Sequence, residues 1–137
     1  MKSNKIDHTL AVDFILGGNS LFTLLNVESG NRFTFKVKKH KLDDVYFVSV
    51  LTNPDMFEFI GSIKSNVFRH SKNSRIYNTS QSVRVFDFVL SKLNSGTLSQ
   101  LIEIWHQGRC GKCGRVLTVP SSIESGFGPE CSKNRSK

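Results

Sequence analysis

The chain has 137 residues and a mass of 15.4 kDa, the length of one domain with room for a small appendage. Hydrophobic residues at 38% and charged residues at 22% exclude a disordered chain, and no apolar run reaches the ~18 residues of a membrane-spanning helix. A net charge of +8 and a pI near 9.7 direct attention to acidic partners, nucleic acid above all, against the plainer reading of a well-solvated lysine surface. Charges among the first residues interrupt any signal-peptide apolar stretch, so a cytosolic protein with no membrane contact is expected.

Residues 3–16 place Ile6, Leu10, Phe14 and Leu16 at near-helical spacing, and Gly17-Gly18 stops the run, which predicts a short helix. From Ser20 the period becomes that of strands. Residues 21–27 read as a strand and residues 28–31 as a turn. Residues 32–38 then alternate strictly, with Phe33, Phe35 and Val37 on one face and Lys36 and Lys38 on the other. The pair is a predicted β-hairpin. Residues 45–52, rich in β-branched and aromatic side chains, predict a third strand. Asn53-Pro54-Asp55 is a turn, and residues 57–63 predict a fourth strand antiparallel to the third.

Residues 64–79 are polar and basic and are expected to form a connecting loop around an apolar patch at Val67-Phe68. Ser80 or Ser82 is placed to cap a helix whose Val83, Phe86, Val89, Leu90 and Leu93 form one apolar stripe, ended at Asn94-Ser95-Gly96. Residues 101–105 predict one further short strand. The expected fold is α+β. A four-stranded antiparallel β-meander with a packed helix occupies residues 1–96, and a second unit over residues 97–137 packs against it, since no Pro/Ser linker separates the two. Phe33, Phe35, Phe47, Phe86 and Phe88 are all expected in the core.

The three cysteines, Cys110, Cys113 and Cys131, all fall in the second unit. An odd number clustered so locally in a cytosolic chain points to a metal site rather than a disulfide framework. Cys110 and Cys113 have the C-x2-C spacing of a zinc knuckle, in which two thiolates on a tight turn face one ion at roughly 2.3 Å. Gly111 and Gly114 give the turn its positive-φ positions and leave amides free to point at the sulfurs. Gly128-Pro129 precedes Cys131 as a helix start does, and a thiolate in a first helical turn faces the positive end of the dipole. Knuckle, short hairpin and ligand-bearing helix together describe a treble-clef-like zinc module.

A structural zinc site takes four ligands, and the nearest further donor is His106, giving H-x3-C-x2-C-x17-C. His70 and His40 require a long-range approach, and His8 is the remotest choice. A three-ligand site completed by water or a carboxylate stays open, as does His106 serving as an ordinary strand residue beside Trp105. No thioredoxin-like βαβ pattern surrounds the C-x2-C pair, which disfavours a redox role.

Three blocks of sequence carry a resemblance: C-G-x-C-G-R-x-L at residues 110–117, Pro120-Ser121-Ser122-Ile123, and G-x-G-P-x-C at residues 126–131. They resemble a domain-of-unknown-function family of small zinc-binding modules found in bacteriophages and mobile elements. Residues 14–18, 30–35 and 46–52 are similar to stretches of uncharacterised phage and prophage proteins that carry this module at the C-terminus. The resemblance covers most of the chain. It implies a phage or mobile-element origin and a host-cell cytoplasmic location, and supplies no activity.

Basic residues cluster within residues 32–41, within residues 64–75 and around the zinc module. Arg109, Lys112 and Arg115 on the knuckle, with Lys36 and Lys38 on the hairpin, are the expected phosphate-gripping residues, in a mode insensitive to base sequence. Catalysis finds no support. There is no workable Ser/His/Asp arrangement, and a zinc site with four protein ligands keeps no open position for water. A deaminase reading of C-x2-C needs a His-x-Glu partner, which the chain lacks. The expected function is a zinc-binding, non-enzymatic phage accessory protein that binds nucleic acid. The alternative is a protein-binding inhibitor of a host defence system, of the anti-CRISPR type, that turns the same basic surface to an acidic host complex.

Overall fold

The structure, a computed structural model, describes residues 4–117 and 126–127. The elements in chain order are β1 (Lys5–Ile6), α1 (His8–Ile15), β2 (Asn19–Asn26), β3 (Arg32–Lys39), β4 (Val45–Asn53), β5 (Met56–Lys64), β6 (Val67–His70), α2 (Gln81–Ser95) and β7 (Ile102–His106). All strands join one seven-stranded sheet in the order β1-β7-β2-β3-β4-β5-β6. Every pairing is antiparallel. The class is α+β, as expected, and no described helix is long and apolar enough to cross a membrane.

The first helix is shorter than the periodicity of residues 3–16 predicts. Ile6 is drawn into β1, where it pairs with Ile104 of β7 and is fully buried. Asp7 then caps α1, its Oδ1 accepting from the Thr9 amide at 2.9 Å and the Thr9 hydroxyl at 2.7 Å. The hydroxyl bond, then the amide bond, holds the Asp7 carboxyl below the usual carboxylate value. The cap is therefore intact at neutral pH and lost as pH falls through that lowered pKa. At the other end of α1, buried Ser20 of β2 donates its hydroxyl to the Ile15 carbonyl at 2.8 Å, which satisfies both groups in the core.

The meander has five strands rather than four. Residues 64–79 are not all loop: Val67–His70 forms β6 on the edge of β5, with Phe68 buried opposite Ile63. The turn between them is only Ser65-Asn66, both in the left-handed region at φ 53° and 63°. A two-residue turn of this hand matches the twist of the paired strands. At the opposite edge, β7 lies between β1 and β2 of the same sheet, so the chain just past residue 96 belongs to the sheet.

One face of the sheet makes the core. Phe22, Phe35, Val37, Val48, Ile63 and Ile104 point into it, and both helices pack there. α2 buries the expected stripe of Val83, Phe86, Val89 and Leu90, and ends at Gly96 with φ 72°. The Phe86 ring lies 5.0 Å from those of Phe35 and Phe68. Two of the expected core phenylalanines are elsewhere. Phe47 is 40% exposed on the opposite face of the sheet, and Phe88 is 53% exposed on the outer side of α2. Phe47 alternates with Tyr46 and Val48, so burying Val48 turns Phe47 outward.

The contrast between Phe86 and Phe88 is directly measurable. In a urea titration, Phe86→Ala should cost about 3–5 kcal/mol, as expected for emptying a filled aromatic site. Phe88→Ala should stay within about 0.5 kcal/mol of the parent. Equal losses at the two positions would contradict the placement of α2.

Candidate functional site

Past β7 the chain folds back over residues 108–117. Arg109 and Val116 form an antiparallel bridge, and the Cys110 amide donates to the Arg115 carbonyl at 2.8 Å. The Gly114 amide donates to the Cys110 carbonyl at 2.9 Å, closing the turn at a residue with φ 78°. Inside it, the amides of Lys112 and Cys113 point at Cys110 Sγ from 3.3 and 3.5 Å. Amide donors aimed at a sulfur spread the charge of a metal-bound thiolate. Cys110 is buried beneath the turn and Cys113 is exposed. This donor set and geometry fit a metal ion held through Cys110 and Cys113. Cys131 and the helix expected around it lie outside the described residues.

His106 closes β7 opposite Phe22, buried at 2% exposure. Its Nδ1 accepts from the Gly108 amide at 2.9 Å. A neutral imidazole that accepts at Nδ1 carries its proton on Nε2. Among the described residues no group of three His, Cys, Asp or Glu side chains is placed to hold one ion. The other histidines serve their own surroundings. His40 Nδ1 accepts from the amides of Leu42 and Asp43, His70 Nε2 bonds the Ile76 carbonyl at 2.6 Å, and His8 Nε2 bonds the Ile102 carbonyl at 2.7 Å.

The knuckle is docked on the sheet through glycines. The Gly111 carbonyl accepts from the Asn19 amide at 2.9 Å, and the Gly111 amide donates to the Gly126 carbonyl at 2.8 Å. A Cβ on Gly111 would sit 2.7 Å from the Phe14 ring, and one on Gly126 would sit 2.5 Å from it. Phe127 is buried and meets Phe14 edge to face at 5.9 Å.

This docking joins two basic clusters that are far apart in sequence. Asn19, whose amide holds the knuckle, pairs in register with Lys38, and the Lys39 amide donates to the Gly18 carbonyl at 3.0 Å. Arg109, Lys112 and Arg115 are exposed on the knuckle, and Lys36 and Lys38 are exposed on β3. Arg109 also clamps the turn, its Nη1 donating to the Gly114 carbonyl at 3.1 Å. Lys36 Nζ stands 5.5 Å over the Phe57 ring. Phe47, Phe57, Phe59 and Trp105 share the outer face of the sheet with these lysines. The signal for Phe47 was present in the alternation of residues 45–52; the cross-strand neighbours depend on register.

Gly111→Ala tests the docking. It should cost about 1–3 kcal/mol by overpacking against Phe14, and amide exchange should quicken over residues 110–114. A fully stable variant with unchanged exchange would contradict the close approach.

Residues 106–136 match a family of unknown function, DUF6011. The match begins at the last residue of β7 and covers the knuckle and all three cysteines, while the sheet up to Trp105 lies outside it. No curated protein and no solved structure matches the chain.

Proposed function

We propose that the chain is a zinc-stabilised nucleic-acid-binding protein of phage or mobile-element origin, acting in the host cytoplasm by binding rather than catalysis. The observation that carries the reading is the meeting of the two basic clusters at Asn19: the knuckle rests on its amide, and Lys38 is its partner in the sheet. The whole chain carries a net charge of +8, and the basic residues gathered at this end suit a polyanion, whose affinity would come chiefly from counterion release.

Zinc, when bound, supplies a cross-link that makes a short segment rigid. Cys110 and Cys113 would hold it from the knuckle and Cys131 from the following segment. His106 takes the fourth position only by giving up the Gly108 amide. Lys112 and Arg115 would then be presented to phosphates from a turn whose backbone is already fixed, at low entropic cost.

Purified protein should carry one zinc per chain, lost on Cys113→Ser and weakened on His106→Ala. The charge reversal Arg109→Glu, Lys112→Glu, Arg115→Glu should abolish binding of labelled oligonucleotides at moderate salt. Each lost phosphate contact should lower the salt slope by roughly 0.7 to 0.9. Because Arg109 also holds the turn, the double variant Lys112→Glu, Arg115→Glu separates charge from folding. Zinc-loaded protein that shifts neither DNA nor RNA at low salt would overturn the reading and reassign the basic surface to an acidic host protein.

A further inference from the structure

The two helices cover one face of the sheet; among the described residues no helix or strand covers the other. Cross-strand register shows what stands on that open face. Lys36, Ser49 and Phe59 form one row, and Lys38, Phe47, Ser62 and Arg69 form the next. The rings of Phe47 and Phe59 meet edge to face at 6.1 Å. Phe57 lies beneath the Lys36 ammonium, 5.5 Å from ring centre to nitrogen. Toward the β1 edge, Trp105 of β7 stands opposite Thr23, which is opposite Thr34. The indole N–H donates to Glu103 at 3.1 Å, which fixes the plane of the ring.

Charge on this face is one-sided. Arg32, Lys36, Lys38, Lys64 and Arg69 occupy it by register. The acid that register places among them is Glu103, already paired with Lys5 at 3.2 Å. Beside Trp105 the face dips into a groove of about 750 Å³, lined among others by Thr23, Arg32, Thr34, Leu51 and Gln107. Gln107 Nε2 donates to the Thr23 hydroxyl at 3.0 Å, so the groove offers polar groups as well as ring surface.

A ligand for this face must bring both negative charge and flat apolar surface at short intervals. Unpaired nucleotides do so: phosphates answer the lysines and arginines, and bases stack on the rings. A duplex hides its base faces and leaves the rings unused. Building on the nucleic-acid reading above, we propose that the open face of the sheet is a stacking platform for a single strand of DNA or RNA, running from Trp105 across β3 to Phe47.

The test uses full-length, zinc-loaded protein with labelled oligo(dT), oligo(U) and a DNA duplex of equal length. The chain holds one tryptophan, so its fluorescence reports directly on the platform. Either single strand should bind at least tenfold more tightly than duplex and quench Trp105. Phe47→Ser should weaken single-strand binding about tenfold, and Phe47→Tyr, which keeps the ring, should leave it unchanged. Lys36→Gln with Lys38→Gln should lower the salt slope. Equal binding of duplex would overturn the platform. So would single-strand binding that leaves Trp105 undisturbed, ignores Phe47→Ser and is lost only on reversing Lys112 and Arg115; in that case nucleic-acid binding stands and belongs to the knuckle. Failure to bind any oligonucleotide would overturn both.

Discussion

The ring of Phe14 is the peg on which the rest of the molecule hangs. It projects from the end of α1, fully buried, and touches four separate parts of the chain. It meets Phe22 of β2 at 6.3 Å, His106 at the end of β7 at 5.9 Å and Phe127 at 5.9 Å. The backbones of Gly111 and Gly126 close over it at distances that admit no side chain. Gly17 meets the same constraint from below, since a Cβ there would lie 2.6 Å from the Gly111 carbonyl. A short turn with two cysteines has too little surface to hold itself in place. Packing its glycines on an aromatic ring removes apolar surface from water on both sides and fixes where the turn sits.

That fixed position has an electrostatic consequence. The knuckle comes to rest against the start of β2, and antiparallel pairing brings the end of β3 to the same place. Charges separated by more than seventy positions in sequence (Lys38 and Arg109 onward) thus share one end of the sheet. The sheet divides its labour between faces. The inner face carries Phe22, Phe35 and Phe68, which pack with Phe86 of α2, and their burial stabilises the fold. The outer face keeps four aromatic rings half in water, interleaved with cations, where they add little to stability. Stability and the proposed binding therefore draw on different residues of the same strands.

Much of this was legible in the chain. The hairpin of β2 and β3, the pair β4 and β5, and the stripe of α2 with its stop at Gly96 all follow from periods of 2.0 and 3.6 with glycine or asparagine at the turns, while Ser80 takes the expected N-cap position without a side-chain cap hydrogen bond. What was not legible depends on partners distant in sequence. β1 is two residues long and exists only because β7 pairs with it. β6 follows Ser65-Asn66, a turn that lacks the glycine by which such turns are usually known. Phe47 and Phe88 look like core residues by type alone; alternation put Phe47 on the lysine side, and the helical wheel put Phe88 off the stripe. The C-x2-C spacing predicts a tight turn with amides free to point at the sulfurs, a local geometry; Gly114 takes the expected positive φ of 78°, whereas Gly111 does not and is required instead by its close approach to Phe14. The ring of His106 accepts from the Gly108 amide and packs on Phe14, a contact from across the fold that no local pattern shows.

Phe14 fixes the knuckle beside the start of β2, and the proposed nucleic-acid surface takes in both the knuckle and the outer face of the sheet. An NMR titration of zinc-loaded, nitrogen-15-labelled protein with oligo(dT) tests it most directly. The amides of Lys36, Lys38, Phe47, Lys112 and Arg115 and the Trp105 indole should shift together and saturate at one concentration, while the exposed side of α2 around Phe88 stays still. Shifts confined to α2, or knuckle and sheet saturating at separate concentrations, would contradict it.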